Sequence, residues 1–101
     1  MEEFFRQRLA QLREQKKVSA RDMSLTLGQS ESYINKIENG KSFPSMQIFF
    51  YICDYFKITP KDFFDSGNSN PAAIEALTND LKTLTDSQIA SIANLVKGLQ
   101  R

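Results

Sequence analysis

The stretch from Val18 to Gly40 constrains this chain most. Two short helical segments, VSARDMSLTLG and QSESYINKIENG, run back to back, and each closes on glycine. Ser19 is placed to cap the first, three residues ahead of Asp22, and Ser30 to cap the second. Each hydroxyl would accept a backbone N–H that a first helical turn leaves unpaired. Gly28 and Gly40 supply the permissive backbone that ends each helix. Met23 and Leu27 lie four apart, as do Tyr33 and Ile37 with Ile34 beside them, so each helix carries one apolar stripe and one polar face. Two such helices cannot bury their stripes without a third partner.

The flanking sequence offers partners. In EEFFRQRLAQLREQKK, Phe5, Leu9 and Leu12 recur at helical spacing, with acids at the start and bases at the end, in the sense the helix dipole favours. This predicts a first helix over 2–15. NGKSFPS reads as a loop, and Ser45 begins a fourth helix after Pro44. Its residues Met46, Phe49, Ile52, Cys53 and Phe56 form one face, while Phe50, Tyr51 and Tyr55 make the other face aromatic and imply that something covers part of it. Thr59 and Pro60 open a short fifth helix ending near Asp65, with Phe63 in the core. The expected core is Leu9, Leu12, Met23, Leu27, Ile34, Ile37, Phe49, Ile52, Phe56 and Phe63.

SGNSNP reads as a turn or linker, which divides the chain into a module over 1–66, a connection over 67–71 and a C-terminal helical hairpin over 72–101. In the hairpin Ile74, Leu77, Leu81 and Leu84 recur at three- and four-residue steps. Thr85 with Gln88 forms a capping box, and Ile89, Ile92, Leu95, Val96 and Leu99 repeat the pattern. Few charges and no aromatic residue suit this seam to packing or dimerisation, and poorly to touching phosphate.

With 101 residues there is room for one domain and a small appendage. The absence of histidine excludes imidazole catalysis and the usual Cys/His zinc sites. Cys53, the single cysteine, falls at a helical core position and reads as a small buried hydrophobe. No run of eighteen apolar residues and no secretion leader is visible, so the expectation is a cytoplasmic protein with no membrane span. The formal charge of +1 is weak support for nucleic-acid binding. Its distribution helps: Arg6, Arg8, Arg13, Lys16, Lys17, Arg21, Lys36 and Lys41 all precede the first proline. Adjacent carboxylates at Glu2 and Glu3 on an exposed helix start, no phosphate-binding glycine loop and no nucleophile with an evident base leave little for an enzyme.

The run RLAQLREQKKVSARDMSLTLGQSESYINKIENGKSFPSMQIFFYICDYFKITPKDFF, Arg8 to Phe64, resembles the Cro/repressor-type (XRE-like) helix-turn-helix family of bacterial and phage transcription regulators. Helix phase, both turns, IENGK and the spacing to ITPKDFF all agree. The resemblance implies an all-α fold: a five-helix Cro/repressor-like DNA-binding domain, here followed by the two-helix hairpin. It implies that helices 2 and 3 form the motif and that helix 3, over 30–38, lies in the major groove. Carried over by position, Ser30, Glu31, Ser32, Asn35 and Lys36 would meet base edges. Arg21, Tyr33, Asn39, Gly40 and Lys41 would meet the backbone and fix register without reading sequence. Lys36 suits guanine O6 or N7, and Glu31 suits cytosine N4 or, equally, serves as a helix N-terminal acid. The family also pairs an arginine of helix 1 with the glutamate closing helix 3, here Arg13 and Glu38, in a structural salt bridge.

Two positions depart from the pattern. Ala20 stands where a phosphate-binding glutamine is common, leaving Arg21 as the substitute, and Lys57 replaces a glycine after helix 4. The implied function is a homodimeric, sequence-specific regulator of a double-stranded DNA operator, a repressor before an activator, with no cofactor or metal. The competing reading is a protein-interaction module, or antitoxin-like protein, that keeps the fold and binds a protein partner through its aromatic face and C-terminal seam.

Overall fold

The computed structural model describes residues 1–65, 67 and 69–100. The expected module edge at Ser66 and the linker residue Asn68 lie outside the described residues. The architecture is all-α, with seven helices among the described residues. These are α1 (Glu2–Lys16), α2 (Ala20–Thr26), α3 (Tyr33–Glu38), α4 (Met46–Phe56), α5 (Pro60–Phe63), α6 (Pro71–Leu81) and α7 (Asp86–Leu99).

Local chemistry sets the ends. Ser19 Oγ accepts the Asp22 N–H at 3.0 Å, and Ser45 Oγ accepts that of Ile48 at 3.2 Å. Thr59 with Asp62 and Thr85 with Gln88 form reciprocal capping boxes. Gly28 and Gly40 both sit at φ 75°, the left-handed region. Lys17 and Lys57 enter the same region at φ 60° and 58° to close α1 and α4. The Val18 N–H then reaches back to the Arg13 carbonyl, and the Ile58 N–H to that of Cys53. Lys57 thus adopts the backbone that a glycine at this position would, at a cost of about 1–2 kcal/mol for a side chain there.

Ser30 does not cap α3. Residues 30–33 form a turn in which the Tyr33 N–H donates to the Ser30 carbonyl at 3.1 Å, and regular helix begins only at Tyr33. The donor left at the helix start is met from α2 instead. Ser24, fully buried, accepts the Ile34 N–H at 2.9 Å and donates its hydroxyl to the Ala20 carbonyl at 2.7 Å. One hydroxyl therefore fixes the angle between α2 and α3 as well as capping the second.

The core gathers α1 to α5. Leu9, Met23, Ile34, Ile37, Ile52 and Phe63 are wholly enclosed, with Leu12, Phe49 and Phe56 nearly so, and each such side chain contributes about 1.5–3 kcal/mol on burial. Leu27 packs on the cluster but is only half-buried, whereas Phe5, Cys53 and Ile58 belong to it. Phe5 joins through its ring, 4.9 Å from that of Phe63 and 4.8 Å from that of Phe43. Burial pushes the Cys53 thiol up to about 11, consistent with a packing role. Met46 departs from the expected face and is 65% exposed, because the first turn of α4 runs past the core to the rim of an apolar cavity of about 230 Å³. On the aromatic side only Tyr55 is covered, with Lys16 Nζ 4.8 Å over its ring; Phe50 and Tyr51 remain exposed.

Arg8 is the least expected member of the interior. It is buried, and its guanidinium donates to the carbonyls of Phe63 at 2.7 Å and Asp62 at 2.9 Å and to Gln11 Oε1 at 2.7 Å. Desolvation lowers its pKa from the ordinary arginine value. It closes the C-terminal end of α5 onto α1, a structural task that withdraws it from the cationic surface.

Beyond Pro71, which is buried, α6 and α7 extend the molecule to 50 Å in its longest dimension. No residue of α7 is buried, and Ile74, Leu77, Leu95, Val96 and Leu99 present their side chains to solvent.

Replacing Ser24 with alanine leaves the Ile34 N–H buried and unpaired, so a loss of about 1–3 kcal/mol is expected. Urea denaturation followed by circular dichroism measures it, and a loss below 0.5 kcal/mol, the scale of ordinary surface changes, would show that the hydroxyl is dispensable.

Candidate nucleic-acid interface

The polar side of the α2–α3 unit is built outward from the core side of the same helices. Ile34 and Ile37 point inward, so Asn35 and Lys36, adjacent in sequence, point outward. Ser30, Glu31, Asn35, Lys36, Asn39, Gly40 and Lys41 are all exposed, as is Arg21 at the start of α2. Ser32 and Tyr33 are half-buried. Tyr33 lays its ring against the core cluster, and burial pushes its phenol above the ordinary value, so the hydroxyl stays protonated.

Three contacts organise this edge. The Asn39 amide donates to the Asn35 side-chain oxygen one turn earlier, aligning two amides along the outer face of α3. The Lys41 N–H closes onto the Lys36 carbonyl at 2.8 Å, so the chain leaves the helix through Gly40 in one defined path. Arg21 Nε meets Glu31 Oε2 at 3.1 Å, an ion pair spanning from α2 to the turn before α3. The two-thirds exposure of both its side chains makes it worth about 0–1 kcal/mol.

Behind the surface lies a stronger pair. Arg13 Nε and Nη2 donate to the two carboxylate oxygens of Glu38 at 2.8 and 3.0 Å, and Nη1 donates to the Val18 carbonyl at 3.0 Å. The Glu38 hydrogen bond raises the Arg13 pKa despite desolvation. Both side chains are largely covered, so the pair orients α3 against α1 and offers no charge to a ligand.

Arg6 was not anticipated at this edge. Its guanidinium reaches the Glu38 carbonyl at 3.5 Å and lies 3.4 Å from where a Cβ on Gly40 would stand. With Asn39 and Lys41 it lines an open cleft of about 600 Å³, opposed by Glu2 and Glu3. The basic run at the N-terminus named Arg6, but only the fold brings it beside Gly40.

Residues 7–68 match a family profile described as a helix-turn-helix domain. The chain belongs to the Cro/repressor-type helix-turn-helix family. No curated protein and no solved structure matches it. The helix-turn-helix domain is a DNA-binding regulatory domain and its family is not one of enzymes. Among the described residues no helix is long and apolar enough to cross a membrane, and no cluster of potential metal ligands occurs.

Arg13→Ala leaves the Glu38 carboxylate and the Val18 carbonyl without their donor in a largely covered site, so about 2–4 kcal/mol should be lost. Chemical denaturation measures this. Adding Glu38→Gln should cost much less than it does alone, since the partner charge is already gone; strict additivity would show that the two do not act as a pair.

Proposed function

We propose that this protein is a sequence-specific transcription regulator that binds a double-stranded DNA operator as a homodimer and represses by occupying it. The reading places it in the cytoplasm of a bacterium or phage host and requires no cofactor. The recognition segment 30–38 enters the major groove, with Ser30, Glu31, Ser32, Asn35 and Lys36 toward base edges and Arg21, Tyr33, Asn39, Gly40 and Lys41 toward the backbone.

One observation carries it. The outer face of α3 is polar and exposed while its inner face is clamped by Ser24 and by the Arg13–Glu38 pair. A polar edge held this firmly, within a family of DNA-binding domains, is preorganised for a groove. The C-terminal helices supply the second copy: an operator of two half-sites about one helical turn apart needs a two-fold dimer, and the uncovered apolar residues of α6 and α7 need a partner.

A second reading has its own support. Arg8 and Arg13 are spent on structure, the formal charge is only +1, and Phe43, Phe50, Tyr51 and Phe64 form exposed aromatic surface. An interaction module of this kind would bind a protein partner and ignore duplex. Binding to random duplex at low and high salt separates the two, because a regulator loses affinity steeply with salt.

Lys36→Ala should relax preference at one or two base pairs by about 1–3 kcal/mol, whereas Lys41→Ala should weaken all sequences alike and reduce the salt slope by about 1. Selection from a random duplex pool, then anisotropy titrations, reads both. Equal sequence-blind losses would place α3 outside the groove.

Ile89→Asp with Val96→Asp should give a monomer in sedimentation and weaken binding to paired half-sites by about 100-fold while single half-site affinity stays unchanged. A dimer surviving both changes would remove α7 from the interface.

A further inference from the structure

We propose that Glu31 acts as an internal competitor for Arg21, holding that guanidinium away from DNA phosphate until the carboxylate finds a donor among the bases. The inference rests on the DNA-binding reading above and adds to it a source of specificity. Its basis is the Arg21–Glu31 pair, which joins a residue expected on the backbone to one expected on the bases.

Among the described residues there are two ion pairs, and they differ in kind. Arg13 grips Glu38 through two nitrogens in a covered site and is fixed. Arg21 touches Glu31 through one nitrogen at 3.1 Å, with both side chains 66% exposed. Among the described residues no other side chain holds Arg21, and such a pair opens readily in water.

A carboxylate and a phosphodiester compete for the same guanidinium, and the duplex backbone offers the higher density of negative charge. When Arg21 turns to phosphate, Glu31 loses its partner and faces the same anionic backbone. That state is favourable only where the carboxylate accepts a hydrogen bond, and in the major groove the donor that suits it is cytosine N4. On a duplex offering that donor, Arg21 is released to phosphate and Glu31 to the base together. On other sequences the pair stays closed or leaves a repelled charge. Glu31 therefore lowers binding to wrong sequence more than to right sequence, and specificity is the difference between the two.

The test is a double-mutant cycle read by anisotropy across a salt series, on random duplex and on duplex selected from a random pool. Glu31→Ala should tighten random-duplex binding about two- to fivefold, the range for an exposed pair, and steepen the salt slope by about 0.9, one added phosphate contact. The selected duplex should gain less, so the ratio of the two affinities falls. In an Arg21→Ala background the same change should leave the slope where it was, and Arg21→Lys should restore the steepening. Equal gains with and without Arg21, on an unchanged slope, would reduce Glu31 to simple repulsion and overturn the proposal while duplex binding itself stands. Absence of salt-dependent duplex binding in every variant would remove the DNA-binding reading and the proposal with it. Both residues are exposed, so thermal midpoints should stay within a few degrees of the parent and confirm that all variants are folded.

Discussion

The Arg13 guanidinium joins three parts of the chain that sequence keeps apart: the end of α1, the loop at Val18 and the last residue of α3. Six residues of regular helix are too few to be stable alone. α3 therefore persists because each end is fastened from outside, by Arg13 at Glu38 and by Ser24 at Ile34. The apolar contacts of Ile34 and Ile37 add burial between these points, but burial is non-directional and does not set rotation. The two polar fastenings do. They decide which side of α3 faces water.

The same economy explains why a chain with 13 basic residues has so few available near α3. Arg8 closes α5, Arg13 holds α3, and Lys16 lies over Tyr55. Guanidinium suits the first two tasks because its planar fork satisfies several carbonyl or carboxylate oxygens at once. What packing takes in Arg8 and Arg13, the surface loses, and the exposed cations nearest the recognition segment reduce to Arg21, Lys36 and Lys41.

Much of this was legible in the sequence, and the failures share a cause. Ser19, Thr59, Thr85, Gly28 and Gly40 act within a few residues of themselves, so a linear reading placed their caps and turns correctly. The core fell out of helical spacing for the same reason. Ser30 has the same sequence context as Ser19, yet the Tyr33 N–H three residues on turns to the Ser30 carbonyl, and the helix start is held at Ile34 by Ser24, ten residues earlier. The one signal for that was a serine on the apolar side of α2, between Met23 and Leu27. Arg8 gives none, since the two carbonyls it closes on lie more than fifty residues away. Met46 had the right spacing but too little neighbouring structure to be covered. At the recognition segment the sequence named residues and the fold added relations: Arg21 with Glu31, Asn35 with Asn39, and Arg6 beside Gly40.

On the proposed function, the bare apolar stripe of α7 and the thin positive surface meet in one requirement, a second copy. On the proposed reading, one copy brings about three cations to the duplex, and each contributes a salt-dependent increment to affinity. Three such contacts resemble the non-specific encounter of many proteins more than they resemble operator binding. Two copies joined through α6 and α7 bring twice that number and, once one half-site is held, deliver the second at high effective concentration. A helix such as α7, 14 residues with none buried, is marginal by itself and on this reading would gain order from that same union. Pairing would thus complete the fold at one end of the molecule and the recognition surface at the other. On that reading a single chain carries half of each.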